Sequence, residues 1–365
     1  MQARALRSTL TADAHIRLTL EDVDLGTPSD NEIIVRVDAA PVNPTDTYLM
    51  LSGADLEKAT VTDGALVAPV NPAVAAAFAA RVGQAIPVGS EGAGTVVAAG
   101  ANAQALMGKV VALAGGGMYA THRKVAAAMA RPLPAGLTAE QGASAFVNPM
   151  TALSFVETMR AERHSAIVHT AAASNLGQML VKICAADKVP LVNIVRRPAQ
   201  AETLRALGAE HIVDSSAPTF FDDLVAAIAA TNATIAFDAI GGGPQVSQIL
   251  NAMERVAARS MKQFSHYGSP TLKQAYIYGS LDRSPTPLIR TFGLAWSIGG
   301  YLVSYALAKL GPETTTRMAT RVMSELTTTF ASSYTARISL AQLLDPATLR
   351  AAAATTTGEK YLVKQ

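Results

Sequence analysis

The sequence predicts an α/β protein in two parts: a β-rich, turn-rich first part and a second part built as a doubly wound parallel sheet. Three observations carry this. The chain has 365 residues, and a guide of about 150 residues per domain gives two domains. Half of the residues are apolar and 16% are charged, which supplies large cores and excludes global disorder. From about Val147 onward, short apolar runs alternate with helical stretches, the pattern of strand, helix and strand in one parallel sheet.

Residues 1–145 read as β-rich. Glu32–Val37 alternates apolar and polar residues as a half-buried strand does. Gly94–Ala99 and Lys109–Leu113 are further short apolar strands, and Pro41–Pro44 is a turn. Ala73–Val82 predicts a helix. The surrounding stretch, Ser52–Pro87, carries several prolines and little strand pattern, and reads as an insertion or lid. In the second part, strands are predicted at Ala166–His169, Leu191–Val195, His211–Val213, Thr234–Phe237 and Ala275–Tyr278. Between them, helices are predicted at Asn175–Asp187, Pro198–Leu207, Phe220–Ala230 and Pro244–Met253. Pro198 suits a first helical turn, and Gly208 suits the stop after Leu207. A further helical stretch, Glu313–Phe330, leads into late strands at Thr335–Ile338 and Lys360–Val363 that are placed to rejoin the first part. The expected domains are therefore 1–146 with 331–365, and 147–330.

Composition removes several function classes. Lys plus Arg is 30 against 28 for Asp plus Glu, a formal charge of +2, so no basic field marks a nucleic-acid partner. Cys184 is the single cysteine, which excludes an intramolecular disulfide and any zinc site that needs two thiolates. It stands among apolar helical residues and reads as packing. The six histidines are scattered, with no two at the spacing that puts them on one helical face, so no metal site is expected. The first twenty residues lack the apolar core of a secretory leader, and a cytoplasmic location is expected. Phe292–Ala308 is uncharged and approaches the roughly 18–20 residues of a spanning helix. Gly293, Gly299 and Gly300 weaken it as one helix. It reads as a strand plus helix or a subunit contact, without a membrane span.

A nucleotide site is expected after the first strand of the second part. Ala166–His169 runs into Thr170-Ala171-Ala172-Ala173-Ser174-Asn175-Leu176-Gly177 and then a helix. A dinucleotide loop places G-x-G-x-x-G here. Ala172, Ser174 and Gly177 occupy the three spacings, so the last glycine alone is kept. The physical need is for small residues that let backbone approach a pyrophosphate at a helix N-terminus. Ser174 and Asn175 are equally suited to capping that helix. The second strand ends in Arg196-Arg197, where an NAD site carries a carboxylate for the ribose hydroxyl. Two guanidiniums suit the 2′-phosphate of NADPH instead. Phe237-Asp238-Ala239-Ile240-Gly241-Gly242 and Tyr278-Gly279-Ser280 close later strands at their carboxyl ends, where open α/β sheets bind ligands.

Several soft motifs, in order, resemble the medium-chain dehydrogenase/reductase superfamily in its zinc-independent quinone-oxidoreductase branch. Ala40-Pro41-Val42-Asn43-Pro44-Thr45-Asp46-Thr47-Tyr48 resembles the quinone-reductase segment around its active-site tyrosine. Gly89-Ser90-Glu91-Gly92-Ala93-Gly94-Thr95-Val96 resembles the family's G-x-E-x-x-G-x-V turn. Thr151-Ala152, Leu207–Asp214 and Thr357-Gly358-Glu359-Lys360 with Leu362-Val363 resemble its later signatures. The Ala-Ser-Asn phosphate loop followed by arginines is similar to that of mitochondrial enoyl-thioester reductases. The resemblance implies a GroES-like β-barrel domain and a Rossmann domain, with the end of the chain returning to the first.

The departures from the zinc alcohol dehydrogenases of that superfamily bear on mechanism. Asn43 stands where their first cysteine ligand would be, and Ser90 where their histidine would be. Without a Lewis acid, a conjugated acceptor is the easier substrate, because its developing oxyanion needs only hydrogen-bond donors. The resemblance implies hydride transfer from NADPH to a quinone or an enone C=C. Tyr48 would bond the acceptor oxygen or protonate it, and Asn43 would orient it. Ala172, Ser174, Asn175, Leu176 and Gly177 would hold the pyrophosphate, and Arg196 and Arg197 the 2′-phosphate. Thr151, Ile240, Tyr278, Gly279, Ser280 and Lys360 are the remaining cofactor-binding candidates by family position. Alternatives are an enoyl-thioester (CoA or acyl-carrier) reductase and a non-enzymatic NADPH-binding protein. A homodimer is expected, with the Phe292–Ala308 stretch near its seam.

Overall fold

The computed structural model describes residues 1–354 and 360–365. Thr357, Gly358 and Glu359 of the terminal motif lie outside the described residues. The first segment carries strands β1 (Gln2–Leu10), β2 (His15–Asp24), β3 (Glu32–Pro41), β4 (Thr60–Thr62), β5 (Ala65–Pro69), β6 (Ile86–Pro87), β7 (Glu91–Ala99), β8 (Val110–Ala114), β9 (His122–Ala126) and β10 (Arg131–Pro132). Helices α1 (Pro44–Leu51), α2 (Pro72–Ala77) and α3 (Ala139–Gly142) lie among them. There follow α4 (Val147–Ala161), β11 (Ile167–His169), α5 (Asn175–Asp187), β12 (Leu191–Val195), α6 (Pro198–Ala206), β13 (His211–Asp214), α7 (Phe220–Thr231), β14 (Ile235–Asp238), α8 (Gln245–Ala258), β15 (Lys273–Ile277), β16 (Trp296–Gly300) and α9 (Val303–Ser324). The chain closes with β17 (Ala336–Ile338), α10 (Pro346–Ala353) and β18 (Tyr361–Lys364). Two compact units result: Met1–Val147 with Val322–Gln365, and Asn148–Arg321.

The first unit is antiparallel in the main. One sheet runs β4-β5-β2-β1-β6 and the other β10-β8-β7-β3-β18-β17, with β9 also paired to β3. Strand β3 organises the second sheet: β7 follows one edge, while β9 and then β18 share the other. Its alternation buries Ile33, Val35 and Val37 in a core with Leu6, Ile16, Leu66, Val111 and Tyr119. Register shifts in the β3–β7 pair fall at Ile34/Val35 and Val37/Ala39. At Gly94 the strands come so close that a Cβ would overlap the Arg36 carbonyl, so the glycine of the G-x-E-x-x-G-x-V segment answers to backbone proximity.

The stretch 52–87 differs from its sequence reading. It contributes β4, β5 and β6 to the first sheet, with β5 paired along β2 from His15–Pro69 to Leu18–Leu66. Prolines hid these strands because Pro69 and Pro87 sit at strand ends, where a missing N–H does no harm. The helix expected over Ala73–Val82 is α2 followed by a 3-10 turn at Ala79–Arg81, with the non-helical Phe78 between them.

The second unit is one parallel sheet in the order β13-β12-β11-β14-β15-β16. Reversal of direction from β11 makes it doubly wound, the Rossmann arrangement. Every residue of β11, β12 and β14 is buried, which explains why apolar residues predominate on both faces, with His169, Asn193 and Asp238 the buried polar exceptions. Val168, Ile194, Leu224, Ile249 and Phe292 anchor one core cluster. Phe292–Ala308 resolves into β16 and the start of α9, and among the described residues no helix is long and apolar enough to cross a membrane. The helix expected from Glu313 is the second part of α9, which a kink at Gly311 (φ 85°, ψ 168°), just before Pro312, separates from a first helical segment that starts at Val303.

Candidate active site

In the second unit, β11 delivers the chain into residues 170–177. Ser174 caps α5, its hydroxyl accepting from the Gly177 N–H at 3.1 Å. Ala172 is fully buried and its N–H reaches the Ile194 carbonyl at 3.1 Å, tying the loop to β12. Neither Ala172 nor Ser174 has a positive φ, so this loop needs no glycine at those places. Gly177 is different, because a Cβ there would overlap the Ala172 carbonyl oxygen. The retained glycine is thus the one that packing demands, and the loop is lined by small residues at the start of a helix.

Beneath the loop lies a buried polar chain that sequence reasoning missed. His169 ends β11 fully buried, and its Nε2 stands 2.9 Å from the Tyr278 hydroxyl. That hydroxyl donates to the Thr170 carbonyl at 3.0 Å. The Thr170 hydroxyl donates to Asp238 Oδ1 at 2.5 Å and accepts from the Ala239 N–H at 2.9 Å. Asp238 also accepts from the Gly241 N–H at 2.7 Å, and burial raises its carboxyl above the ordinary range. The strand ends of β11, β14 and β15 are therefore tied together below the loop. Tyr278 is committed to this support, its ring packed on Phe155, so the backbone of Gly279 and the exposed Ser280 are what this segment presents. Gly279 cannot carry a side chain, since a Cβ would press on the Ala239 carbonyl at 2.5 Å. Ile240 is half-buried in the facing turn, and Thr151 is buried within α4.

Arg196 and Arg197 follow β12 as exposed side chains. The backbone of Arg196 is held by the Gln200 side chain at 2.9 Å. Asn175 is half-buried and Leu176 buried in the first turn of α5. Cys184 lies deeper in α5, where burial pushes its thiol up to about 12 and makes it inert.

In the first unit, Asn43 precedes α1 and Tyr48 lies within it. Asn43 is 2% exposed, and its Nδ2 donates to the fully buried Glu91 at 3.0 Å. Its Oδ1 has no partner among the described residues. Glu91 also accepts from the backbone N–H groups of Phe146 and Val147, both at 2.9 Å. Burial raises the Glu91 carboxyl, and the Lys360 charge opposes that rise. Lys360 is buried, with Nζ 2.8 Å from the Ser144 hydroxyl, which in turn lies 2.8 Å from the Tyr334 hydroxyl. Asp46, also buried, accepts from the backbone N–H groups of Asn43 at 3.0 Å and Ser90 at 2.7 Å. The structure thus buries Lys360 in the first unit, bonded to Ser144 and with its charge acting on Glu91, and places Tyr48 at the surface, 45% exposed. Among the described residues no group of three or more His, Cys, Asp or Glu is arranged to hold a metal.

No protein-family model matches the chain. A mitochondrial enoyl-[acyl-carrier-protein] reductase of Xenopus tropicalis is 28% identical over 212 residues, which is 54% of this chain and 51% of the relative. The chain spans about half the length of the curated relatives it matches. A putative NADPH:quinone reductase from Mesorhizobium loti aligns with TM-score 0.73 at 25% identity, covering 100% of this chain and 98% of that one. The structure of an Etr1p complex with NADP and crotonyl-CoA aligns with TM-score 0.68 at 18% identity, covering 100% of both chains.

Proposed function

We propose, for a chain whose fold and relatives match the zinc-independent quinone-reductase and enoyl-reductase branch of the medium-chain dehydrogenase/reductases, an NADPH-dependent oxidoreductase that passes hydride to a quinone or to the activated C=C of an enone. The observation that carries this reading is the loop at Ala172–Gly177, with its small residues and serine-capped helix, together with two exposed arginines at the end of the next strand. These residues fit the cofactor: backbone at a helix N-terminus suits a pyrophosphate, and paired guanidiniums suit a 2′-phosphate.

Ser174, Asn175, Leu176 and Gly177 would hold the pyrophosphate, with Ala172 shaping the loop. Arg196 and Arg197 would take the 2′-phosphate, and Thr151, Ile240, Gly279 and Ser280 the nicotinamide end. When bound, NADPH supplies the hydride. The Tyr48 hydroxyl would bond the acceptor oxygen and deliver its proton. Asn43 has spent its donor on Glu91, so it would act by setting the start of α1 and by offering Oδ1 as an acceptor. Lys360 would serve the same frame by compensating Glu91 rather than by touching the cofactor. A second reading, reduction of an enoyl thioester, is favoured by the names of the curated relatives and by the crotonyl-CoA in the Etr1p complex. A homodimer would form along the edge strand β16, beside exposed Leu294, Leu302 and Tyr305.

The test is NADPH and NADH oxidation by purified protein over quinones, enones and enoyl thioesters, with affinities for both nucleotides measured directly. Preference for NADPH that is lost in Arg196→Ala/Arg197→Ala supports the cofactor reading. Equal, unchanged affinities for both nucleotides overturn it. Turnover confined to thioesters selects the second reading. Tight NADPH binding without turnover selects a binding protein.

A further inference from the structure

We propose that residues 72–82, within the Ser52–Pro87 stretch, form the acceptor-selecting element of this protein, with Phe78 the specificity-determining side chain and Arg81 the positioning residue. This rests on the reading of Tyr48 as the residue that meets the acceptor. Two independent sets of contacts carry it.

The first is aromatic. The Phe78 and Tyr48 rings meet edge to face, with centroids 6.2 Å apart and planes at 67°. Tyr48 remains 45% exposed and Phe78 half-buried, so both rings keep surface available to a ligand. Whatever packs on the Tyr48 ring meets Phe78 next to it, and a planar acceptor finds apolar surface there. Phe78 sits at the non-helical joint between α2 and the 3-10 turn, a place that helix continuity alone would not select for a large aromatic.

The second is polar. Arg81 donates from Nη1 to the Leu49 carbonyl at 2.6 Å and to the Ser52 hydroxyl. Its Nη2 donates to the Ser8 hydroxyl at 2.6 Å, and Ser8 in turn donates to the Met50 carbonyl at 2.5 Å. Leu49, Met50 and Ser52 form the end of α1, where a cation is favoured by the helix dipole and the last carbonyls lack helical partners. Ser52 itself is left-handed (φ 46°) and 2% exposed, so the helix stops at a residue that Arg81 holds. The same short segment thus presents a ring to Tyr48 and clamps the helix that carries Tyr48. Only Ala79 and Ala80 separate Phe78 from Arg81, so loosening the clamp displaces both rings relative to each other.

The experiment compares wild type, Phe78→Ala, Arg81→Lys and Arg81→Met. Two readouts are used: kcat and KM over acceptors graded from one fused ring to three, and the 19F spectrum of protein containing 3-fluorotyrosine, with Tyr48 assigned by its loss in Tyr48→Phe. Phe78→Ala is expected to change the ratio of kcat/KM between small and large acceptors by about tenfold, with NADPH affinity unchanged, and to shift the Tyr48 resonance. Arg81→Met is expected to lower kcat across all acceptors and to broaden or split that resonance, and Arg81→Lys to restore part of both. An unchanged acceptor ratio in Phe78→Ala overturns the selecting role. An unmoved Tyr48 resonance in Phe78→Ala and in folded Arg81→Met overturns the positioning role. If wild type turns over no acceptor, the enzymatic reading of Tyr48 fails and the selecting role falls with it, while the resonance still decides whether Arg81 and Phe78 set the position of that ring.

Discussion

His169 and Tyr278 share a hydrogen bond of 2.9 Å in the interior of the second unit, under the loop assigned to the pyrophosphate. Because the Tyr278 hydroxyl gives its proton to Thr170, it accepts from Nε2–H of a neutral imidazole. Nδ1 is then the bare nitrogen, and it has no partner among the described residues. Desolvation pushes His169 down to about 3.

A histidine depressed in the folded state contributes stability that is present above its unfolded pKa and is lost as pH falls toward the folded value. The unfolded chain takes up this proton below about pH 6.5, and the folded chain does not. Acidification from pH 6.5 to pH 5 should therefore cost about 2 kcal/mol through this residue. Urea unfolding of wild type and His169→Gln across that range checks it. The stability gap between the two should narrow in acid, and parallel pH curves would show that His169 titrates normally.

Gly177 is the position in the proposed phosphate loop where substitution should be least tolerated. Gly177→Ala forces a Cβ into the Ala172 carbonyl and lifts α5 from the loop. We expect destabilisation of about 1–3 kcal/mol together with loss of NADPH binding, read by calorimetry and nucleotide fluorescence. Ala172→Gly and Ser174→Gly restore the commoner loop sequence and should leave NADPH binding within a few-fold of wild type. Equal binding by Gly177→Ala would remove this loop from the cofactor site.

The central strands of the second unit were legible because burial on both faces leaves a short run of mostly apolar residues, as at Leu191–Val195, where only Asn193 is polar. Helix α5 was legible at both ends, from its Ser174 cap to Asp187. The strands β4 to β6 were not, because they are short and peripheral and prolines end two of them. The signals that single out Tyr48 and the loop at 170–177 as candidates are local. Those of the supporting networks are not: Glu91 meets Phe146 across 55 residues, His169 meets Tyr278 across 109, and Lys360 meets Ser144 across 216. A carboxylate inside the G-x-E-x-x-G-x-V segment was visible, but the amides that bond it come from Phe146 and Val147, and the lysine whose charge acts on it arrives with the return of β18 beside β3.

Lys273 tests how strongly a fully buried charge supports the second unit. Its Nζ is fully buried and lies 2.5 Å from Glu254 Oε2, 3.0 Å from the Ser269 hydroxyl and 2.8 Å from the Thr271 carbonyl. Lys273→Met leaves the carboxylate buried without its cation and should destabilise by about 3–5 kcal/mol. Removing the carboxylate as well, in Lys273→Met/Glu254→Leu, should recover much of that loss. Denaturation midpoints of the three proteins decide it, and a double variant no better than the single one would show that Ser269 and Thr271 carry the site.

Lys360 offers the corresponding test in the first unit, with a pH signature. Its charge is the leading influence that opposes burial at Glu91, and its own pKa is lowered by the same desolvation. Lys360→Met removes that compensation and the bond to Ser144, so the Glu91 carboxyl rises further. A carboxyl raised in the folded state contributes stability that is present in acid and lost as pH rises through its folded value. The deficit of Lys360→Met should therefore be small near pH 4.5, where Glu91 is readily protonated, and should grow to about 2–4 kcal/mol by pH 8. Chemical denaturation over that range measures it. Since Glu91 holds Asn43 at the start of α1, the same variant should lose turnover as pH rises while its NADPH affinity stays constant. A pH-independent deficit would mean that Lys360 acts by packing and its bond to Ser144, rather than by holding the Glu91 charge.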